Sequence, residues 1–202
     1  MTVLKSLTLI AAASLALAAG AQAQTTSTTT SASSSYSMNS PGSRYIGFNV
    51  GKSNFKLNNG LGAFPSDSKD TSYSLYGGSY LNPNFGVELG YTDFGRVSRA
   101  GGSTRADGVN LSVVGRLPLS PSFNVLGKLG TTYGRTDVSA APASGVTSGR
   151  ETGFGVSYGL GVEYAFTPAV SAVLQYDEHK LRFVNNGRDT VGTASVGLRY
   201  NF

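Results

Sequence analysis

The segment from Gly153 to Phe166 alternates strictly between two kinds of residue. One parity is apolar or aromatic, and it consists of Phe154, Val156, Tyr158, Leu160, Val162, Tyr164 and Phe166. The other parity is small or polar, with a carboxylate at Glu163. Side chains on a β-strand point alternately to opposite faces, so the segment predicts a strand with one fully apolar face. A small, polar opposite face is typical of a membrane barrel, in which lipid touches the outside and the lumen is narrow.

The same alternation recurs from Arg44 onward and predicts eight strands. Their predicted bounds are 44–54, 72–81, 85–94, 108–117, 123–135, 151–166, 169–183 and 189–202. Strand five is less regular, because Leu126 falls on its polar parity. Lipid offers no hydrogen-bond partners, so each strand needs two neighbours and the sheet must close. We therefore predict an all-β fold, an eight-stranded antiparallel up-and-down transmembrane β-barrel over residues 44–202.

The predicted connections fall into two groups. Three of them, at residues 81–85, 119–123 and 166–170, share the order apolar residue, small polar residue, Pro, spacer, apolar residue. Proline cannot donate to a strand ladder and favours a tight turn. The other four, at residues 55–71, 95–107, 136–150 and 184–188, are more polar and mostly longer. This asymmetry predicts periplasmic turns, external loops and both termini on the turn side.

The first residues of the chain predict export. Residues 1–23 contain Lys5, an apolar run from Leu7 to Ala19 and a small-residue site ending at Ala23, which together predict a signal peptide cleaved near Ala23. The apolar run is shorter than the roughly 20 residues that a membrane-spanning helix needs. Residues 24–43 are rich in Ser and Thr and uncharged, so they predict a flexible lead-in. The chain has no Cys, which excludes disulfides and thiolate metal sites.

Ionisable residues on the polar parity predict a charged lumen. We expect Glu88 and Glu163 to face Lys128, Arg116 or Arg199, because an unpaired charge in so confined an interior is costly. This network has two interpretations: a polar plug that satisfies the lumen, or a gate that opens a narrow transient pore. We favour the plug, because side chains fill the interior of an eight-stranded barrel.

The predicted loop side carries aromatic and basic residues. The aromatic residues expected in a girdle or on the lipid face there are Tyr91, Phe94, Tyr133, Phe154 and Tyr176. The candidate contacts with the anionic lipopolysaccharide of the outer leaflet are Arg96, Arg135, Arg150, Arg182 and Arg188. The alternative is that these arginines are ordinary solvated charges. Recognition of host surface molecules would also lie in the external loops.

The last predicted strand carries a separate signal. Leu198, Tyr200 and Phe202 lie on its apolar parity, Gly197 lies on the other, and the chain stops at Phe202. An aromatic last residue on the lipid-facing parity resembles the signal that the bacterial outer-membrane assembly machinery reads. We therefore expect that machinery, outer-membrane lipid and lipopolysaccharide as partners.

Three segments resemble the transmembrane barrel of outer-membrane protein A and its small relatives. They begin at Arg44 (RYIGFNVG), at Leu81 (LNPNFGVELGY) and at Thr152 (TGFGVSYGLGVEYAFTP). The resemblance covers most of residues 44–202 and implies a barrel in the outer membrane of a Gram-negative bacterium. It does not extend to the family's periplasmic peptidoglycan-binding domain, so we do not expect anchoring to the cell wall.

The resemblance also implies roles for individual residues. In the family, inward carboxylates stand at the positions of Glu88 and Glu163, and an inward cation stands at the position of Lys128. Val114 and Val173 occupy the positions of the family's other gate cations. Gating by exchange of salt bridges is therefore not expected to carry over unchanged.

Three functional classes compete. We favour a structural or adhesive outer-membrane protein without cofactor, metal site or nucleic-acid partner. A lipid A-modifying barrel enzyme would need a catalytic base, and His179, flanked by charges near the outer end of a strand, is expected to be a surface residue. A soluble lipocalin-like barrel would reverse the two parities, but the glycine-rich opposite face and the low share of charged residues, 13%, argue against it.

Overall fold

The computed structural model describes residues 42–55, 68–99, 101–142, 148–183 and 187–202. The predicted signal peptide, and the predicted lead-in up to residue 41, lie outside these residues. Among the described residues, no helix is both long and apolar enough to cross a membrane.

Eight antiparallel strands form one closed barrel in sequence order, and β1 pairs with β8 to close it. The strands are β1 (Arg44–Phe55), β2 (Lys69–Tyr80), β3 (Phe85–Arg99), β4 (Gly102–Ser120), β5 (Phe123–Ser139), β6 (Gly149–Ala165), β7 (Val170–Phe183) and β8 (Gly187–Asn201). The predicted fold is confirmed. We call the end with the short β2–β3, β4–β5 and β6–β7 connections the turn end, and the opposite end the loop end.

Side-chain oxygens hold the connections at the turn end. The Asn82 Oδ1 accepts hydrogen bonds from the backbone N–H groups of Asn84 and Phe85 at 2.9 and 2.8 Å. In the β6–β7 turn, the Thr167 Oγ1 accepts one from the backbone of Val170 at 3.0 Å. The small polar residue before each proline is therefore part of the turn, as expected for Asn and Thr beside a tight reversal.

At the loop end, several strands are longer than predicted. The predicted loop 95–107 is mostly strand, because β3 continues to Arg99 and β4 begins at Gly102. The reversal between them uses Gly101, whose φ is 68°, and a bulge near Gly95 (φ 84°) shifts the pairing of β3 with β4. Beyond the lipid both faces of a strand can be polar, so the apolar–polar alternation that predicts a strand is lost.

The exterior of the barrel is a continuous apolar belt. Leu160 is 71% exposed, Leu129 63% and Leu198 60%. At the turn end, the rings of Tyr164 and Phe166 lie 5.4 Å apart. Apolar exposure on this scale is not stable in water, so the belt is a lipid-facing surface. The alternative with apolar residues inside is excluded for these strands.

The described interior is largely polar and also contains two apolar clusters. The loop-end cluster consists of Phe55, Phe94, Val97, Ala106, Leu181 and Val191. The turn-end cluster consists of Tyr45, Tyr76, Tyr80 and Val114. The prediction that Phe94 belongs to the outer girdle is wrong. Phe94 shares the parity of Glu88 and is fully buried in the lumen.

Candidate functional site

A buried ion network occupies the lumen beside the tyrosines of the turn-end cluster. Its first half joins Glu88 of β3 to Lys128 of β5, with the Lys128 Nζ 2.7 Å from the Glu88 Oε1. The Tyr45 hydroxyl donates to the other oxygen of Glu88 at 2.9 Å. Lys128 also donates to the Oε1 of Gln175 at 3.2 Å. Glu88 therefore has a partner on each oxygen, as a buried carboxylate requires.

The second half joins Glu163 of β6 to Arg199 of β8. The Arg199 Nη1 lies 3.3 Å from the Glu163 Oε1, and its Nη2 lies 3.7 Å from the Glu88 Oε2. Glu163 also accepts hydrogen bonds from Ser171 at 2.7 Å and from Asn124 at 3.2 Å. Arg199 thus lies between both carboxylates and links the two halves of the network.

Tyrosine rings line the cationic side of this network. The Arg199 guanidinium lies 4.1 Å from the centre of the Tyr45 ring, and the Lys128 ammonium lies 4.8 Å from that of Tyr76. Cation–π contacts of this kind are stronger when the cation is removed from water.

Arg116 lies nearer to the turn end. Its guanidinium stacks on the Tyr80 ring at 3.7 Å, and its Nε donates to the Pro83 carbonyl at 3.2 Å. The structure therefore brings Glu88, Lys128, Glu163 and Arg199 into one network. Arg116 also fastens the β2–β3 turn to the wall.

A small polar chamber lies between the network and the loop-end cluster. Its volume is about 30 Å³, and its lining includes Asn49, Glu88, Lys128, Asp177 and His179. The carboxylate of Asp177 accepts a hydrogen bond from Gln175 at 2.7 Å, and Gln175 contacts Lys128. A space of this size holds one or two water molecules and no larger solute.

His179 is buried, so the expectation that it is a surface residue is wrong. Its Nδ1 lies 2.8 Å from the Thr132 hydroxyl, and its ring meets that of Phe94 edge-on at 4.9 Å. His179 shares the parity of Gln175 and Asp177 on β7. This parity was the signal that could have placed it in the lumen.

The predicted basic residues at the loop end have different surroundings. Arg135 and Arg150 both pair with Asp137, in the first case at 3.3 Å. Arg96 and Arg182 have exposed side chains, while that of Arg188 lies outside the described part of the structure. Two of the five candidates, Arg135 on β5 itself and Arg150 on β6, are therefore partly neutralised by Asp137 of β5.

Asp70 anchors the bulge that presents Arg96. It lies beyond the apolar belt and accepts the backbone N–H of Arg96 at 2.5 Å and that of Thr71 at 2.7 Å. These hydrogen bonds hold the pKa of Asp70 below its usual value, and the bond from Arg96 has the largest effect.

The last strand presents the residues of the predicted assembly signal on two faces. Leu198, Tyr200 and Phe202 are exposed on the apolar side. Gly197 faces inward, where a side chain would overlap Asn49. Arg44 and Phe202 exchange backbone hydrogen bonds at 3.0 and 2.9 Å, which extends the β1–β8 closure to the last residue.

Comparison with known proteins identifies the same architecture. The family model of the OmpA-like transmembrane domain matches residues 41–202. Outer membrane protein A of Salmonella typhi is 31% identical to this chain over 151 residues, which cover 68% of this chain and 42% of that relative. The chain therefore spans less than half the length of these curated relatives.

Solved structures show the fold at lower identity. Neisserial surface protein A (NspA) has a TM-score of 0.60 at 17% identity, covering 80% of this chain and 99% of that chain. Ail, the attachment invasion locus protein of Yersinia pestis, in complex with the heparin analogue sucrose octasulfate, has a TM-score of 0.54 at 20% identity. It covers the same shares of the two chains.

Proposed function

This chain belongs to the family of the OmpA-like transmembrane domain, and from that membership we propose a structural or adhesive role in the bacterial outer membrane, without catalysis. The observation that carries the proposal is the closed lumen. The tyrosines of the turn-end cluster pack against the charged network, and the chamber between the network and the loop-end cluster holds no more than water. These features support a plug, with Glu88, Lys128, Glu163 and Arg199 satisfying one another.

The environment of His179 supports the absence of catalysis. A lipid-modifying enzyme needs its base beside a nucleophile and within reach of the substrate. His179 instead lies under Phe94, inside the barrel and away from the lipid-facing surface. A lipid ester could not reach it without rearrangement of the loop-end cluster.

The loop end is the proposed surface for lipopolysaccharide. Arg96 and Arg182 are exposed there, and Arg135 and Arg150 share one carboxylate between two guanidinium groups. That excess of positive charge would attract the phosphates of the outer leaflet. Arg188 belongs to the proposal on its sequence position alone.

The same surface is the proposed site of adhesion. The neighbour Ail was solved with a sulfated heparin analogue, and the basic loop end of this chain suits a polyanion of similar chemistry.

The last strand has a separate proposed role. Its exposed Leu198, Tyr200 and Phe202, with the inward Gly197, form the signal for the assembly machinery.

The test uses Arg96→Gln with Arg135→Gln, and Arg44→Gln at the turn end as the matched control. Lipopolysaccharide that copurifies with the protein and binding to immobilised heparin are both measured. We expect both to fall by roughly thirtyfold in the double variant, the effect of removing two favourable charges of about 1 kcal/mol each, and to be unchanged in the control. Unchanged retention and unchanged heparin binding in the double variant would remove the proposed surface.

A further inference from the structure

The pairing of β6 with β7 stops well short of the loop-end limits of both strands. The ladder between β6 and β7 ends at the pair Ser157 and His179. On its other side, β6 continues to pair with β5 out to Gly149, and β7 continues to pair with β8 out to Phe183. The loop-end part of β6, from Gly149 to Val156, therefore has a free edge toward β7. Free edges are unusual in a barrel, whose closure normally removes them.

Beyond the end of this ladder, β7 leans into the lumen toward β5. The Thr136 hydroxyl of β5 donates to the backbone carbonyl of Arg182 at 2.6 Å. Leu181 is fully buried in the loop-end cluster, and its side chain packs against Gly134. These contacts bypass β6, the strand that lies between β5 and β7 in the wall.

Glycine on β6 makes this position possible. The Lys180 carbonyl oxygen lies on the lumen side of Gly155, where any side chain would overlap it. Gly153, one step further out, is covered by the aliphatic part of Arg182. Because a backbone carbonyl cannot move aside as a flexible side chain can, Gly155 is the position that decides whether β7 can lie there.

We propose that the loop-end part of β7, residues 180–182, is a hinged closure of the polar chamber. In the observed position Leu181 seals the lumen. In the alternative position β7 pairs with β6 in continuation of the existing register, with Val156 opposite Lys180 and Gly155 opposite Leu181. This movement withdraws Leu181 from the loop-end cluster and opens the chamber to the external solution.

Each position of β7 makes favourable contacts that the other position lacks. The inward position gains the burial of Leu181 and the Thr136 hydrogen bond, but it leaves backbone groups of two strands without ladder partners. The paired position restores the ladder and exposes the cluster. Two packings with opposite gains can lie close in free energy, which is the property of a switch. Hinge motion begins at His179, itself part of the chamber lining.

The test measures access to the chamber from solution. The chain has no Cys, so Ser72→Cys places a single thiol in the chamber lining. Its rate of modification by a methanethiosulfonate ethylammonium reagent is measured in refolded protein in micelles. Gly155→Ala should raise that rate by about tenfold, because overpacking at a contact with no free space disfavours the inward position. Gly127→Ala is the matched control, since a side chain there meets only an ordinary contact with Leu160.

A second pair of variants tests the hinged closure if Gly155→Ala does not refold. Leu181→Ala weakens the seal on the moving strand, whereas Val191→Ala creates a similar cavity in the same cluster, on β8 and within the intact ladder. We expect faster modification only with Leu181→Ala. Equal rates in Gly155→Ala and Gly127→Ala, or in Leu181→Ala and Val191→Ala, would overturn the hinge. Neither result bears on the proposed lipopolysaccharide surface, which is tested by retention.

Discussion

The lumen network predicts strong coupling between Glu163 and Arg199. Glu163→Gln removes the carboxylate charge 3.3 Å from the Arg199 guanidinium and places an amide where Ser171 and Asn124 donate. Arg199→Met leaves the carboxylates of Glu88 and Glu163 buried beside the ammonium of Lys128. That ammonium forms its salt bridge with Glu88 and not with Glu163. Each variant leaves one unbalanced charge among the four buried residues of the network, so each should lose about 3–5 kcal/mol of unfolding free energy.

The double variant should lose less than the sum of the two single variants. When Glu163 is already replaced by a neutral residue, Arg199→Met no longer leaves a buried carboxylate at position 163 without its cation. We therefore expect a coupling free energy between the two sites of at least ~2 kcal/mol. The stacking of Arg199 on Tyr45 is lost in both steps that remove the arginine, so it cancels from the coupling. The coupling therefore reports the ion pair rather than the ring contact.

Unfolding is followed by urea titration of protein refolded into phospholipid vesicles. The chain has no Trp, so the readout is the mobility difference between folded and heat-unfolded protein on unheated SDS gels. Arg150→Met is the control, because Arg150 pairs with Asp137 at an exposed position and should contribute little. Additive losses within about 0.5 kcal/mol would refute the coupling, since distant independent sites behave in that way.

Three further predictions follow from the exterior and the two ends. A polarity-sensitive label at Leu160 should report hydrocarbon, and one at Gly161 a polar lumen; the reverse order would contradict the assigned faces. Phe202→Ser should slow assembly in cells at least severalfold while leaving refolding in detergent unchanged, and equal slowing of both would instead indicate lost closure. The stability that Asp70 contributes is present above its unfolded pKa and is lost as pH falls through the lower folded pKa. An NMR titration of the Arg96 amide should therefore show a midpoint below about 3.9, and a midpoint at or above that value would contradict the hydrogen bond.

The faces of the strands could be predicted from the sequence because alternation is a local property. The same pattern that predicts lipid contact at Leu160 also places Glu163 and Lys128 in the lumen, despite the irregular Leu126. Phe94 was expected on the outside of the barrel because it is aromatic, and His179 at the surface because charged residues flank it. In both cases the parity of the strand is the better guide. Each lies on the inward parity of its strand, and each is buried.

The loop end was less predictable for two reasons. Above the lipid, both faces of β3 and β4 carry polar residues, so the strand from Gly102 onward has no apolar signature. The seam between β6 and β7 depends on how three strands approach one another in space. Gly153 and Gly155 are visible in the sequence, but they look like any other small residue on the lumen parity. Only the position of the Lys180 carbonyl distinguishes Gly155.

The arrangement of charges also bears on how such a lumen could open. The family resemblance would place gate cations, in addition to Lys128, at Val114 and Val173. Both valines are fully buried here, and Val114 belongs to the turn-end cluster. Arg199 is held by two carboxylates and a tyrosine ring, so releasing it would break several buried contacts together. Moving Leu181 breaks fewer contacts and restores a ladder, so the seam is the easier place for this barrel to open.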